Sequence, residues 1–285
     1  MSKKLVHFGW AIKKLLRQKA NYEILEGFLS ELLKFDVSIE AILESESNKE
    51  TEYAKFNRVD ILARTEQNEL VLIEIQNDPE LDYFHRMLYG VAKLVTEYIQ
   101  EAQAYGTIKK VISINIVYFG LGQGADYIYT AQTNFVGMHR QDTLQPSHLQ
   151  QDKYKIREVK EIFPQYYILK VNNFDDIAKN SLDEWIYFLK NSEVKDEFNA
   201  KGLRAAKEKL QYEHLTPHDK RMYESFRTAK MIEYSVTETA KIQGIAEGKL
   251  EVVKNAIAEG LPNHLITKIT GLSIAEIEAI RKEMK

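Results

Sequence analysis

The chain has 285 residues, of which 44% are hydrophobic and 28% charged, with a net charge of −3 and no cysteine. That length suits one large domain or two ordinary ones, and the charge argues against a uniformly basic nucleic-acid coat. Without cysteine there is no disulfide framework and no thiolate metal site. No run approaches the ~20 apolar residues that cross a bilayer, and no signal-type apolar segment opens the chain, so a cytoplasmic protein off the membrane is expected.

Residues 1–22 carry Lys3, Lys4, Lys13, Lys14, Arg17 and Lys19 and no acidic residue. Such an arm can follow a phosphate backbone; a solvated first helix would read the same way. Residues 21–34 have helical periodicity, with Ile24, Phe28, Leu29 and Leu32 as the apolar stripe and Glu23, Glu26 and Glu31 as the acidic residues. Val37–Leu43 reads as a short strand.

Two apolar runs follow, Arg58–Ala63 and Leu70–Gln76, around the polar stretch Arg64–Glu69. Runs of this kind read as a β-hairpin. With the turn centred on Gln67, Asp60 falls opposite Glu74 and Arg58 opposite Gln76. Strand side chains alternate faces, so Arg58, Asp60, Glu74 and Gln76 share one face. Val59, Ile61, Ala63, Val71, Ile73 and Ile75 share the other. Like charges directly opposed on a sheet are destabilising, and a divalent cation is the usual reason to keep two carboxylates there. A hairpin with one wet face would carry the same four residues as solvated side chains, and a one-residue slip would turn them to the other face.

Pro79 ends the hairpin, since proline cannot continue a ladder. A long helix is expected from about Leu81 to Ala104, burying Phe84, Leu88, Val91, Val95 and Tyr98 or Ile99 and ending at Gly106. Arg86, Lys93 and Glu97 lie on another face, with Tyr89 alongside. Val111–Phe119 is a β-branched strand, and Gly120–Gly124 a turn rather than a phosphate cradle. Tyr127–Met138 and Tyr166–Val171 are expected strands. His139 and His148 have no recognisable ligand spacing. From Asp175 the chain turns helical, with Trp185, Phe188 and Leu189 packing back on the core. Residues 195–250 suit long amphipathic helices. A break at Gly260–Pro262 and the segment Leu265–Ser273 then give a helix–turn–helix pattern or a packing αα-hairpin.

The order helix, strand, strand, strand, helix, strand, with Asp60 and Glu74 on the second and third strands, resembles the core of the PD-(D/E)XK nuclease superfamily. It is closer to the Rpn branch, the recombination-promoting nuclease or transposase-like proteins of bacteria. The resemblance is carried by Arg58–Leu62, Ile73–Gln76, Arg86–Tyr89, Val111–Ile116, Ile162–Pro164, Glu247–Lys249 and Ile269–Ser273. It implies an α/β restriction-endonuclease-like core, a central mixed sheet flanked by helices, with a helical C-terminal extension. The expected division is a nuclease-like domain over 1–190, a helical linker over 191–245 and a small helical unit over 246–285.

The function implied is a Mg²⁺-dependent DNA endonuclease, with Mn²⁺ or Ca²⁺ as other ions, linked to recombination, mobile elements or defence. Phosphodiester hydrolysis needs an activated water and charge relief on phosphate and leaving oxygen, which Mg²⁺ on one or two carboxylates can supply. Asp60, Glu74 and the Ile75 carbonyl are the expected ligands. The superfamily carries Lys two residues after this Glu; here it is Gln76, as in the Rpn branch, which can orient a water but brings no charge. Superfamily members also often use a Glu of the first helix, for which Glu26, ahead of Glu23, is the candidate. Lys55, Arg58, Arg86 and Tyr89 are candidates for the substrate backbone; a salt bridge and a half-buried aromatic would equally explain the last two. The alternatives are a catalytically inactive nuclease-fold DNA-binding protein, or an oligomeric interaction protein assembling through its C-terminal helices.

Overall fold

The computed structural model describes residues 5–43, 60–98 and 105–284. They form two compact units, Met1–Thr216 and Pro217–Lys285. The first is built on one six-stranded sheet: β1 (Ile39–Leu43), β2 (Ile61–Thr65), β3 (Leu70–Gln76), β4 (Val111–Val117), β5 (Ile128–Ala131) and β6 (Gln165–Lys170), in the spatial order β1-β2-β3-β4-β6-β5. β3, β4 and β6 run parallel; β1, β2 and β5 are antiparallel to their neighbours.

The hairpin has the register that its pattern predicts, with Ile61 opposite Ile73 and Ala63 opposite Val71. The turn closes with Thr65 and Glu69 bonded through their backbones, and Asn68 takes the left-handed conformation (φ 65°), which Asn tolerates better than most residues. Neither face is wet. Ile61, Ala63, Val71, Ile73 and Ile75 are buried on one side. On the other, Leu62, Leu70 and Leu72 pack with Val91 and Leu94 of α3 (Tyr83–Glu97) and with Val111. A strand that is apolar on both faces belongs in the middle of a covered parallel sheet.

The buried stripe of α3 differs from the expected one. Tyr83, Met87, Val91 and Leu94 face the sheet, whereas Phe84 and Leu88 are exposed. The helix carries two apolar stripes about 100° apart, and docking over β3 and β4 selects the one led by Tyr83. The strand expected over 127–138 is shortened to β5, because Gly137–Asp142 folds into a tight turn with Gln141 at φ 57°. Gly120–Gly124 lies outside helix and strand, with bends at Gly122 and Gln123, and His148 opens the short helix α4 (His148–Tyr154).

On the other side of the first unit, α1 (Phe8–Lys14), α2 (Tyr22–Leu33) and α5 (Ser181–Asn191) meet through Phe8, Phe28, Trp185 and Phe188, whose rings lie 5.5–6.2 Å apart in edge or tilted contacts. α1 lies close over β3: a Cβ added at Gly9 would sit 3.5 Å from Ile75 Cγ2. The first unit continues past residue 190. α6 (Leu203–Lys209) buries Leu203 and Ala206, and the loop before it rests on Gly27, where an added Cβ would overlap the Lys201 carbonyl and come within 2.6 Å of Gly202 Cα.

The second unit holds α7 (Pro217–Ala258), α8 (Asn263–Thr270) and α9 (Ile274–Glu283). Val253, Ala256, Ile266 and Ile277 form its small core. Gly260 and Gly271, at φ 76° and 73°, follow the ends of α7 and α8, the left-handed position that glycine fills without strain. Ser273 and Glu276 make a reciprocal capping box at the start of α9. The long α7 is exposed over most of its length: of its 42 residues only Tyr223, Val253 and Ala256 are buried. No helix among the described residues is long and apolar enough to cross a membrane.

Candidate active site

The site lies where β2 begins and β3 ends. Asp60 immediately precedes β2, and Glu74 and Gln76 close β3. Asp60 and Glu74 are each 7% exposed, so neither is a solvated surface charge. Asp60 Oδ2 accepts the Ile75 amide at 2.6 Å, while Oδ1 meets Lys13 Nζ at 2.9 Å. The Gln76 carbonyl accepts from Tyr118 on the β4 side. Successive residues of a strand direct their backbone groups to opposite edges, so the Ile75 carbonyl lies on the same edge as its amide, the edge that Asp60 occupies.

Glu74 is the most strained charge of the group. Burial pushes its carboxyl up to about 7; Arg86 pulls the other way, and Asp60 and Glu80 add to the rise. Arg86 Nε stands 3.9 Å from Glu74 Oε2, too far for a hydrogen bond. Both atoms are buried without a hydrogen-bond partner among the described residues. A buried carboxylate oxygen without a donor is unfavourable, and a cation is what its lone pairs fit. With Asp60 it offers an all-oxygen donor set of the kind Mg²⁺ takes, one or two carboxylates with the remaining positions left to water and substrate.

Gln76 is held by Glu80, which sequence reasoning missed. Its Nε2 donates to Glu80 Oε1 at 2.6 Å and to the Asp78 carbonyl at 3.2 Å. Glu80 also accepts from Arg86 Nη1 at 2.7 and 3.0 Å. Burial works against the Arg86 guanidinium, but Glu74 and Glu80 hold its proton more tightly than usual. Arg86 is therefore engaged in an acidic cluster rather than free for a phosphate, and Tyr89 is 54% exposed away from it. The signal for Glu80 is its place just after Asn77-Asp78-Pro79, where the chain bends at Asp78 and leaves β3.

Glu26 is not brought to the pair. Its Oε1 accepts the Ile39 amide at 2.8 Å, at the start of β1, and among the described residues no three His, Asp or Glu side chains are grouped to hold a metal. The reason is local: β1 enters beside α2 with an open amide, and Glu26 is the acceptor in reach. Glu23 pairs with Lys209 at 2.5 Å. Lys55 and Arg58 lie outside the described residues. What sequence reasoning did not place is Lys13 and Arg17. Lys13 pairs with the Asp60 carboxylate, and Arg17 Nη2 donates to the Asp60 carbonyl at 2.7 Å.

Behind the site a polar ladder runs into the sheet. Asn115 is the β4 partner of Glu74; its Oδ1 accepts from Tyr83 at 3.2 Å and its Nδ2 donates to Ser113 at 3.0 Å. Burial, reinforced by Glu74, holds the Tyr83 proton well above the usual phenol range, so Tyr83 stays a donor.

No curated protein and no solved structure matches the chain. Residues 7–240 match the family model described as PD-(D/E)XK nuclease family transposase. Asp60 with the strand that follows it, the strand that bears Glu74 and the crossover helix between parallel strands all fall within that match, and the chain belongs to the PD-(D/E)XK nuclease family transposases.

Proposed function

We propose that the protein is a divalent-cation-dependent DNA endonuclease, with Mg²⁺ as the first choice of ion and Mn²⁺ or Ca²⁺ as others that the same oxygens accept. Asp60 Oδ1, Glu74 Oε2 and the Ile75 carbonyl would hold the ion. The observation that carries this reading is the Asp60–Glu74 pair, two buried carboxylates of which Glu74 Oε2 has no hydrogen bond among the described residues. Bound there, the ion would acidify a water and offset charge on the phosphate. In the reaction a water oxygen adds to phosphorus and loses its proton, and one phosphorus–oxygen bond breaks. The departing sugar oxygen takes up a proton, leaving a phosphomonoester and a hydroxyl.

The chain's own residues do the rest. The Ile75 amide fixes the Asp60 carboxylate, leaving Oδ1 toward the site. Glu80 and the Asp78 carbonyl orient the Gln76 amide, whose oxygen is left as an acceptor for a water proton. The family's setting suggests a role in recombination, mobile elements or defence against foreign DNA, in the cytoplasm. Self-association through the C-terminal helices is part of the same reading, supported by the exposed Met231, Ile242 and Ile245 on α7.

A second reading is favoured by one observation: Gln76 carries no charge, and its amide nitrogen is already committed to Glu80 and Asp78. On that reading the fold binds DNA without cutting it. Supercoiled-plasmid cleavage in Mg²⁺, Mn²⁺, Ca²⁺ and chelator, on wild type and Asp60→Asn, separates the two. Asn keeps an acceptor for the Ile75 amide while removing the charge. Metal-stimulated nicking that Asp60→Asn abolishes supports the endonuclease; DNA binding with no nicking in any metal supports the second reading.

A further inference from the structure

We propose that Lys13 supplies the positive charge that position 76 lacks, and that it does so by exchanging partners. It pairs with Asp60 while the site is without an ion, and turns to a phosphate oxygen of the substrate once an ion takes Asp60. The inference rests on the reading of Asp60 and Glu74 as ion ligands.

Three observations converge on Lys13. The first concerns the other cations. Among the described residues around the pair, Arg86 is half-buried and bonded twice to Glu80, Arg17 is bonded to the Asp60 carbonyl, and Gln76 is neutral. The second is delivery. Phe8, Trp10 and Ile12 anchor the buried side of α1, and Arg17, one turn beyond Lys13, donates to the Asp60 carbonyl. The backbone beside Asp60 is thereby tied to the segment that carries Lys13. The side chain is nevertheless 50% exposed, so its ammonium can swing on a flexible four-carbon stem.

The third is competition for one atom. Asp60 Oδ2 is taken by the Ile75 amide, and Lys13 sits on Oδ1. An ion that uses the outward oxygen of Asp60 therefore competes with Lys13 for it. The displaced ammonium stays tethered to α1 at the mouth of the site, where the entering phosphate is the available anion. Lysine suits this exchange, since it is a compact charge with three rotatable donors rather than a rigid planar fork.

The test uses the full chain, with Mn²⁺ as the probe. Mn²⁺ binding is followed by electron paramagnetic resonance without DNA, and plasmid cleavage is measured at saturating Mn²⁺, for wild type, Lys13→Met, Lys13→Arg and Lys14→Met. Lys13→Met removes the competing cation and is expected to bind Mn²⁺ about three- to fivefold more tightly, the range for one exposed ion pair. It is also expected to cut about 100-fold more slowly or worse, the scale for losing one charge-stabilising group. Lys13→Arg keeps the charge and should retain wild-type Mn²⁺ affinity and part of the cleavage. Lys14→Met, exposed on the same helix, should match wild type in Mn²⁺ affinity. Unchanged Mn²⁺ affinity in Lys13→Met overturns the exchange, and tighter binding with undiminished cleavage overturns the role at the phosphate. A wild type that binds no Mn²⁺ overturns the ion-site reading itself, and one that binds Mn²⁺ without cutting overturns the catalytic use of Lys13 while leaving that site standing.

Discussion

Asp60 Oδ2 accepts the backbone amide of Ile75 at 2.6 Å, so the carboxylate that opens β2 is fixed on the residue after Glu74. One hydrogen bond thus sets the geometry of both acids. The other Asp60 oxygen, Oδ1, meets Lys13, and the β2–β3 ladder ends at Ile61 opposite Ile73, one residue short of each acid.

The raised Glu74 carboxyl makes the metal-free protein sensitive to pH. A group whose folded pKa lies above its unfolded value contributes stability that is complete below the unfolded value and lost as pH rises through the folded one. For Glu74 that window runs from its ordinary 4.5 to about 7. Thermal melts in chelator should show wild type losing on the order of 2 kcal/mol between pH 5 and pH 8 relative to Glu74→Gln. Mg²⁺ at pH 8 should restore the loss in wild type and not in the variant. Parallel pH profiles for the two proteins would refute the assignment.

Gln76 and Glu80 are close enough that a charge at 76 is felt at once. Gln76→Glu places a second carboxylate where Nε2 now lies 2.6 Å from Glu80. With both side chains partly exposed, the repulsion should cost about 1 kcal/mol. Adding Glu80→Gln should recover most of it, which a double-mutant cycle by chemical denaturation measures. A full loss that persists in the double variant would show that the two residues are uncoupled.

Gly27 should not tolerate a side chain. Its neighbour is the backbone of Lys201 and Gly202, which cannot rotate away, and the same Lys201 carbonyl accepts from Trp185 Nε1 at 3.0 Å. Gly27→Ala should destabilise the first unit by about 2–3 kcal/mol. Tryptophan fluorescence is a direct probe, because both tryptophans, Trp10 and Trp185, are buried in this unit.

The exposed apolar residues of α7 give self-association a specific test. Ile242 and Ile245 are 63% and 53% exposed one turn apart. Ile242→Glu with Ile245→Glu should shift wild-type assemblies to monomer in sedimentation velocity, with plasmid cleavage per chain as the second readout. A wild type that is already monomeric at tens of micromolar would remove the proposal.

Much of the first unit was legible in the sequence because period-2 and period-3.6 patterns are local. The register of β2 on β3 followed from a turn centred on Gln67, and α2 followed from Ile24, Phe28, Leu29 and Leu32. α3 was harder. It carries two apolar stripes, and no local rule chooses between Phe84–Leu88 and Tyr83–Met87; only the sheet beneath decides.

The sequence by itself determined the two acids, the register of the hairpin next to them and the neutral residue at 76. All of these depend on spacing along one stretch of chain. Tertiary structure alone decided that α3 covers the face of Leu62, Leu70 and Leu72, and that Asp60 and Glu74 end buried. It committed Glu26 to the Ile39 amide, and brought Lys13 and Arg17 to Asp60 from more than forty residues away. Those choices rest on which polar group has an unmet partner nearby after the helices dock. A one-dimensional pattern has no means of expressing that, because the competing partners become neighbours only when the chain is packed.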